Sequence, residues 1–297
     1  MHLLRLIRLA LWRALSHDAF GVAKGAAYSF IISLFPGFLF VASVLAASHK
    51  TAVFVREIGY AVGRIMPPGA AQTAEAYFTS ARERPIRVLI TTSFITLWTG
   101  SGVMISWMEG FRNAYRLPKT WGLVKERMIA FGLVIMAGIP LTFATVLVAF
   151  GNQIESWLVF HAGHELTLYI LVLWNVVRWL IAILTSIAVM LLIYHHAVPR
   201  THPWHTVLPG ATLATAIWFP ATLAFGWYVA HFAEYSLLYG SLATAIVLLV
   251  WMYILSVIVL LGAEFNALLF PRLAASPAPP GDSGAENRSG QLTADRI

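Results

Sequence analysis

Apolar stretches long enough to cross a lipid bilayer dominate this sequence. The clearest covers residues 240–269 and is almost unbroken Ile, Leu, Val, Ala and Trp, with Glu264 and Asn266 near its end. The hydrocarbon core of a bilayer is about 30 Å thick, and a helix needs about 20 apolar residues to cross it. A soluble core does not need runs of this kind. The sequence therefore predicts an all-α, polytopic membrane helix bundle.

Composition narrows the possible functions. Charged residues make up 11% of the chain, whereas soluble domains carry about 25%. The net charge of +7 raises the question of a nucleic-acid partner. We expect no such partner, because lysines and arginines also collect in the cytoplasmic loops of membrane proteins. The chain contains no cysteine, which excludes disulfides, thiolate metal sites and a cysteine nucleophile.

Hydrophobicity predicts a transmembrane domain over residues 25–270, with a segment on either side. Residues 1–24 have arginines among Leu, Ile and Trp but lack the apolar core and cleavage site of a signal peptide. They predict an amphipathic helix in the cytoplasmic interface of the membrane, with a soluble helical lead-in as the alternative. Residues 271–297, rich in Pro, Ala, Ser and Gly, predict a disordered cytoplasmic tail. The six predicted spans are 25–47, 87–108, 129–151, 167–194, 207–231 and 240–269.

Basic residues predict the orientation of this bundle. They are frequent before the first span, between the second and third, and after the sixth, and they are absent from 152–166 and 232–239. Both termini are therefore predicted to be cytoplasmic. The first connection, 48–86, breaks this alternation because it is also basic. We expect its two amphipathic pieces, 51–65 and 71–83, to lie on the membrane surface or to cap the bundle.

Several separated motifs carry a resemblance to a known family. They are AAYSFIISLFP at 26–36, LPGA at 208–211, YVAHF at 228–232, YSLLYG at 235–240, and LGAEFNA at 261–267. Over about residues 20–270 the chain resembles the YihY/BrkB family of bacterial inner-membrane proteins. The resemblance implies a multi-pass protein of the inner membrane. The family is often labelled ribonuclease BN, its BrkB branch is linked to resistance to serum killing, and members have been discussed as transporters, including for lipid-type cargo.

The residues themselves argue against a nuclease. Metal-dependent nucleases need clustered carboxylates or histidines, but the only aspartates are Asp18, Asp282 and Asp295, and no RNA-binding signature appears. We assign no catalytic residue, cofactor or metal site. Two histidine-rich stretches, 161–165 and 195–205, offer possible zinc ligands. We favour a polar loop for the first and anchoring at the membrane interface for the second.

One basic residue lies inside a predicted span. Arg178 stands three residues after Asn175, so both fall on one face of the fourth span. A charge in hydrocarbon is costly and usually faces a partner or a cavity, and arginine cannot shed its proton. Arg178 is therefore either an anchor for an anionic cargo group or a lock between helices.

Other polar residues lie at the predicted cytoplasmic ends of the second and sixth spans. Glu109 and Asn113 end one, and Glu264 and Asn266 end the other. We expect contacts between these groups and the basic residues of the second connection. Glu264 is either half of an interfacial ion pair or a site that couples protons or substrate. The basic residues that we expect these polar groups to contact are Arg112, Arg116 and Arg127.

Prolines inside spans predict local breaks. Pro36, Pro140 and Pro220 each remove a backbone donor, and Ser33 lies within one turn of the first. Such breaks either line a cargo path or are packing kinks. The candidate functional positions are Tyr28, Ser33, Pro36, Glu109, Asn113, Asn175, Arg178, Tyr239, Gly240, Glu264 and Asn266.

Two functions follow as hypotheses. The first is a transporter or flippase-like protein for a lipid-type or amphipathic cargo, with membrane lipids as partners and no nucleotide-binding loop to drive it. The second is a non-transporting scaffold that supports envelope integrity or serum resistance. An intramembrane enzyme is not expected, because the sequence offers no credible nucleophile, base or metal set. A homo-oligomer is left open.

Overall fold

The computed structural model describes residues 2–46, 85–149, 167–199, 203–232 and 242–271, and this part of the chain is helical with no strand. Helices α2 to α7 are each long and apolar enough to cross a membrane, so the predicted all-α fold with six spans is confirmed. The helices are α1 His2–Ser16, α2 Ala19–Ala46, α3 Pro85–Tyr115, α4 Leu123–Ala149, α5 Thr167–His196, α6 Trp204–Phe232 and α7 Leu242–Leu269.

Several sequence predictions fall outside the described residues. They concern the surface pieces 51–65 and 71–83, the histidines of 161–165, the candidates Tyr239 and Gly240, and the tail from residue 272.

Five helices, α2 to α6, begin or end beyond the predicted apolar spans, and three of them do so by six residues or more. Helix α2 begins at Ala19, α3 continues to Tyr115 and α4 begins at Leu123. The helices continue past the apolar stretches here, because a helix ends where its backbone is capped and not where its side chains become polar. At the end of α3 the chain turns at Arg116, which has a φ of 53°.

The six spans form a closed ring. Each helix from α2 to α7 packs on the next, and α7 packs again on α2. Helix α7 also contacts α3 across the ring, and α1 lies against α7 and α2. Helix α7 therefore contacts helices from both halves of the chain, α1, α2 and α3 from the first and α6 from the second.

Small residues bring α2 and α3 close together. A Cβ built on Gly102 would lie 3.0 Å from Ser29 Oγ, and one built on Gly25 would lie 3.5 Å from Ser106 Oγ. Small side chains let membrane helices approach closely enough for extensive van der Waals contact. The order of these contacts makes the two helices antiparallel.

Burial is concentrated at one end of the ring. Every residue in 258–267 of α7 is buried, whereas none is buried in 171–184 of α5, 217–229 of α6 or 245–251 of α7. We call the second group the open half. The opposite end, which we call the packed end, comprises 19–27, 103–115, 130–137, 189–198, 207–214 and 258–267.

Prolines do not interrupt the helices in which they lie. Helix α2 continues through Pro36, α4 through Pro140 and α6 through Pro209 and Pro220. The alternatives of a cargo path and a packing kink at Pro36, Pro140 and Pro220 stay predictions. Each proline removes one backbone donor, but the turns on either side keep the helical path.

A sharp turn sets the position of α1. Asp18, between α1 and α2, has a φ of 55°, a left-handed conformation that asparagine and aspartate tolerate better than most residues. Its carboxylate lies over the first turn of α2, so close to Gly21 that a Cβ there would collide with it. An aspartate at this place caps a helix N-terminus. The turn folds α1 back against the end of α7.

Candidate functional site

Glu264 fastens α1 to the packed end. Its side chain is buried, its Oε1 lies 2.6 Å from His17 Nδ1, and its Oε2 lies 3.7 Å from Arg13 Nε. Burying a charge is costly unless it is paired, so these contacts tie α1 to α7.

The expected partners of Glu264 are therefore wrong. The sequence pointed to Arg112 near the end of α3, Arg116 just after it or Arg127 near the start of α4, but the ion pair is made with α1. The turn at Asp18 is the reason, because it places α1 over α7.

Asn266 joins α7 to the backbone of α6. Its Oδ1 accepts a hydrogen bond of 2.6 Å from the Gly210 amide, and its Nδ2 donates one of 3.1 Å to the Val207 carbonyl. The side chain is buried. The side-chain amide thus uses its acceptor and one of its donors on the backbone of α6. The sequence had predicted contact with basic side chains instead.

Two glycines permit this close approach. A Cβ on Gly262 would meet the Tyr194 hydroxyl and lie 2.8 Å from the Gly210 carbonyl oxygen. Tyr194 of α5 donates a 2.7 Å hydrogen bond to the Val259 carbonyl of α7. The packed end is therefore held by contacts from α1, α5 and α6 that all converge on 258–267.

A separate ion-pair cluster holds α3 against α4. Arg112 of α3 pairs with Glu126 of α4, and both side chains are buried. Lys119 approaches the other carboxylate oxygen of Glu126 at 3.4 Å. Glu109 and Asn113, the candidates from the sequence, lie on the exposed side of α3 instead.

Arg127 reaches back toward the middle of α3. Its Nη1 donates a 3.0 Å hydrogen bond to Ser101 Oγ, and its guanidinium lies 4.4 Å from the centre of the Trp98 ring. A cation over an indole face is attracted by the ring quadrupole. This side chain therefore stabilises the same pair of helices at a greater depth.

Arg178 lies in the open half. Its Nη2 is 3.3 Å from Asn175 Oδ1, so the predicted shared face is confirmed. Aromatic rings accompany this region: Trp179 of α5 packs edge to face on Phe219 of α6, and Phe225 of α6 stacks on Trp251 of α7 at 5.3 Å. A guanidinium beside apolar and aromatic surface can receive an anionic head and an apolar body together.

The remaining candidates do not form one site. Tyr28 is 65% exposed on α2, Ser33 Oγ donates to the Phe30 carbonyl, and Pro36 is buried. These three residues lie along α2 and are not joined to Arg178 by any contact within the described residues.

The described histidines at the end of α5 stack on a tryptophan. The His195 ring lies 3.9 Å from the Trp204 ring, nearly parallel to it, and His196 Nδ1 is 3.0 Å from the Leu192 carbonyl. Across the described ranges, no three His, Asp or Glu side chains are grouped as metal ligands. The ring contacts agree with the anchoring role that the sequence favours for this stretch.

Sequence reasoning missed several residues of the packed end. Gly210 and Gly262 lie inside the quoted motifs, so their motif membership was an available signal. Arg13 and His17 carry no such signal, because only the fold brings them to Glu264. Glu126 was overlooked although it lies fourteen residues after its partner Arg112.

Comparisons with known proteins extend the resemblance. A family model described as Virulence factor BrkB matches residues 10–285, a range that begins earlier than expected and includes Arg13 and His17. A Bacillus subtilis (strain 168) protein named as ribonuclease-like, YfkH, is 27% identical over 86% of this chain and 92% of its own length. A UPF0761 membrane protein of Tolumonas auensis is 29% identical over 87% of this chain and 83% of its own length. No solved structure matches the chain.

Proposed function

Because the chain belongs to the virulence factor BrkB family of multi-pass membrane proteins, we propose that it is an inner-membrane transporter or flippase-like protein for a lipid-type or amphipathic cargo. Both termini lie in the cytoplasm in this proposal. The protein acts on its cargo without chemical conversion.

The difference between the two ends of the ring carries the proposal. Residues 258–267 are wholly buried, whereas 171–184, 217–229 and 245–251 contain no buried residue. A uniform structural bundle would bury one face of each helix along its whole length. A ring buried at one end and more exposed at the other is the arrangement expected of a protein that admits cargo from one side and opens the other in turn.

Charge supports the cytoplasmic assignment of the packed end. Exposed basic residues gather there, at the end that also holds α1 and the end of α7. Basic residues concentrate on the cytoplasmic side of bacterial membrane proteins. They include Arg5, Arg8, Lys24, Arg116, Lys119 and Lys125.

Arg178 supplies the chemistry of recognition. It is a permanent cation in the open half, on a helix whose neighbouring surface is apolar and aromatic. A guanidinium binds phosphate or carboxylate through paired hydrogen bonds. An acyl chain or comparable apolar group would then lie along the surface formed by α5, α6 and α7.

The polar groups of the packed end support a structural use over a catalytic one. Glu126 and Glu264 are both buried in ion pairs that join helices. Asn266 is bonded to backbone atoms. Groups engaged in this way stabilise the closed end, and the proposal uses none of them as a nucleophile or base.

The proposal is tested by reconstitution into proteoliposomes. Movement of a fluorescent anionic phospholipid between leaflets would be followed by chemical quenching, and lipids retained on the purified protein would be identified by native mass spectrometry. Replacing Arg178 with leucine should lower the rate and the retention about tenfold or more, since a charge-assisted hydrogen bond is lost. Arg178→Lys should keep part of both.

Lys125→Leu provides the matched control, because it removes an exposed cation at the other end. Thermal unfolding should verify that each variant remains folded. Full transport by Arg178→Leu would refute the anchor. Wild-type protein that moves no lipid and retains only a non-selective lipid shell would refute transport of lipid and favour the scaffold.

A further inference from the structure

We propose that α1 is a docking surface for anionic phospholipid headgroups, and that binding them clamps the packed end. The occupant is the charged surface of the bilayer itself. This inference does not depend on cargo transport, because it concerns how α1 is held.

The side of α1 that faces the ring is lined by small side chains. Ala10 and Ala14 are buried against the bundle, with Ile7 packed beside them. Arg13 and His17 lie on this side as well and reach Glu264. The Arg13 side chain is therefore engaged with the protein and not with lipid.

The opposite side of α1 is covered by nothing within the described residues. Leu4 is 76% exposed, Trp12 is 72% exposed and Leu15 is 55% exposed. In a helix these positions fall on one face. An apolar face that remains exposed after α1 has packed on the ring requires a second apolar environment.

Two exposed arginines identify that environment. Arg5 and Arg8 are exposed and stand among the exposed leucines of α1. A helix whose exposed face combines large apolar side chains with interspersed cations lies at the boundary between lipid headgroups and acyl chains. The arginines meet lipid phosphates while the leucines and Trp12 enter the acyl region.

The same helix thus has two attachments. On one side it is bound to the carboxylate of Glu264, and on the other it is bound to lipid phosphate. Because α1 lies on both α7 and α2, its position affects the contact at which the ring closes. Anionic lipid therefore favours the closed packed end.

The test uses the full chain, which has no native cysteine. Ala14 lies on the buried side of α1, between this helix and the ring. The reaction of Ala14→Cys with a maleimide therefore reports release of α1 from the ring. The rate would be measured in nanodiscs of phosphatidylcholine alone and of phosphatidylcholine mixed with phosphatidylglycerol. Each arginine near an anionic surface contributes enough that removing two should change the release equilibrium about thirtyfold.

We expect slow labelling in the anionic nanodiscs and fast labelling in the neutral ones. Arg5→Gln combined with Arg8→Gln should label fast in both. The matched control is Arg116→Gln with Lys125→Gln, which removes two exposed cations from the same end but from other elements. It should keep the dependence on anionic lipid.

A second readout covers the case in which Ala14→Cys disturbs packing. Spin labels at Ser16→Cys and Leu269→Cys, both exposed, give the distance between α1 and the end of α7. A distance distribution that is narrow in both lipids, or a labelling rate independent of lipid charge, would overturn the proposal. An equal effect of the control pair would show a general surface-charge effect and would also overturn it.

Discussion

Asn266 is a buried side chain whose two polar atoms both contact the backbone of a neighbouring helix. Its partners on this helix are backbone groups that cannot turn away. They are the amide of Gly210 and the carbonyl of Val207, fixed in α6. Such a group is costly to remove, because both backbone partners lose their bond in a region without water.

Asn266→Leu should therefore destabilise the protein. We expect a loss of about 1–3 kcal/mol in the free energy of unfolding, since two buried hydrogen bonds between α7 and α6 are removed. Unfolding in mixed micelles, followed by circular dichroism, would measure it. Asn113→Leu is the control, because Asn113 is exposed on α3 and should change stability little. Equal effects of the two substitutions would contradict this account.

The sequence predicted which residues share a helix face better than it predicted which residues form ion pairs. The shared face of Asn175 and Arg178 follows from helical spacing alone, and the structure has it. The partners of Glu264 did not follow from spacing, because they depend on one left-handed residue at Asp18. A local backbone conformation of this kind leaves little trace in hydrophobicity or charge.

At the scale of helix pairs, α6 and α7 depend on the absence of side chains. Gly262→Ala would place a methyl group against the Tyr194 hydroxyl and the Gly210 carbonyl. We expect the two helices to be forced apart and the melting temperature to fall. Gly132→Ala is the control, because a Cβ there meets nothing within 4 Å. It should raise stability by up to about 1 kcal/mol through helix propensity. A rise for both would refute the close packing.

The pair α3 and α4 depends on a buried charge. Glu126→Ala would leave Arg112 buried without its carboxylate, which should cost about 3 kcal/mol. The free energy of unfolding in mixed micelles is again the measurement. Glu109→Ala, an exposed glutamate of α3, should have little effect. If both variants are equally stable, the ion pairs of Glu126 do not hold α3 against α4.

The existence of these elements was predictable, but their pairing was not. Six apolar runs identify α2 to α7 because a bilayer demands length and hydrophobicity from each span separately. Which helix touches which depends on small residues such as Gly102 and Gly262, but glycine also occurs at Gly132, where an added Cβ would meet nothing within 4 Å. Composition alone does not distinguish the two cases.

For the whole molecule, the proposed orientation makes a direct prediction. A single cysteine at Gly122, in the connection between α3 and α4, should be protected from an impermeant maleimide in intact cells. A single cysteine at Gly163, in the third connection, should react. Both should react after the membrane is permeabilised. Reaction of Gly122→Cys in intact cells would show that the proposed orientation is wrong. Equal labelling of the two sites would refute the number of crossings between them.

Closure of the ring by α7 also fixes an order for biosynthesis. The ribosome releases α1 to α6 first, so Arg13, His17 and the Gly210 amide exist for a time without Glu264 and Asn266. Chaperones and membrane proteases meet the chain in this incomplete form. Release of α7 is then the step at which a nascent chain becomes a closed protein, and defects anywhere in 258–267 are exposed to cellular quality control at that moment.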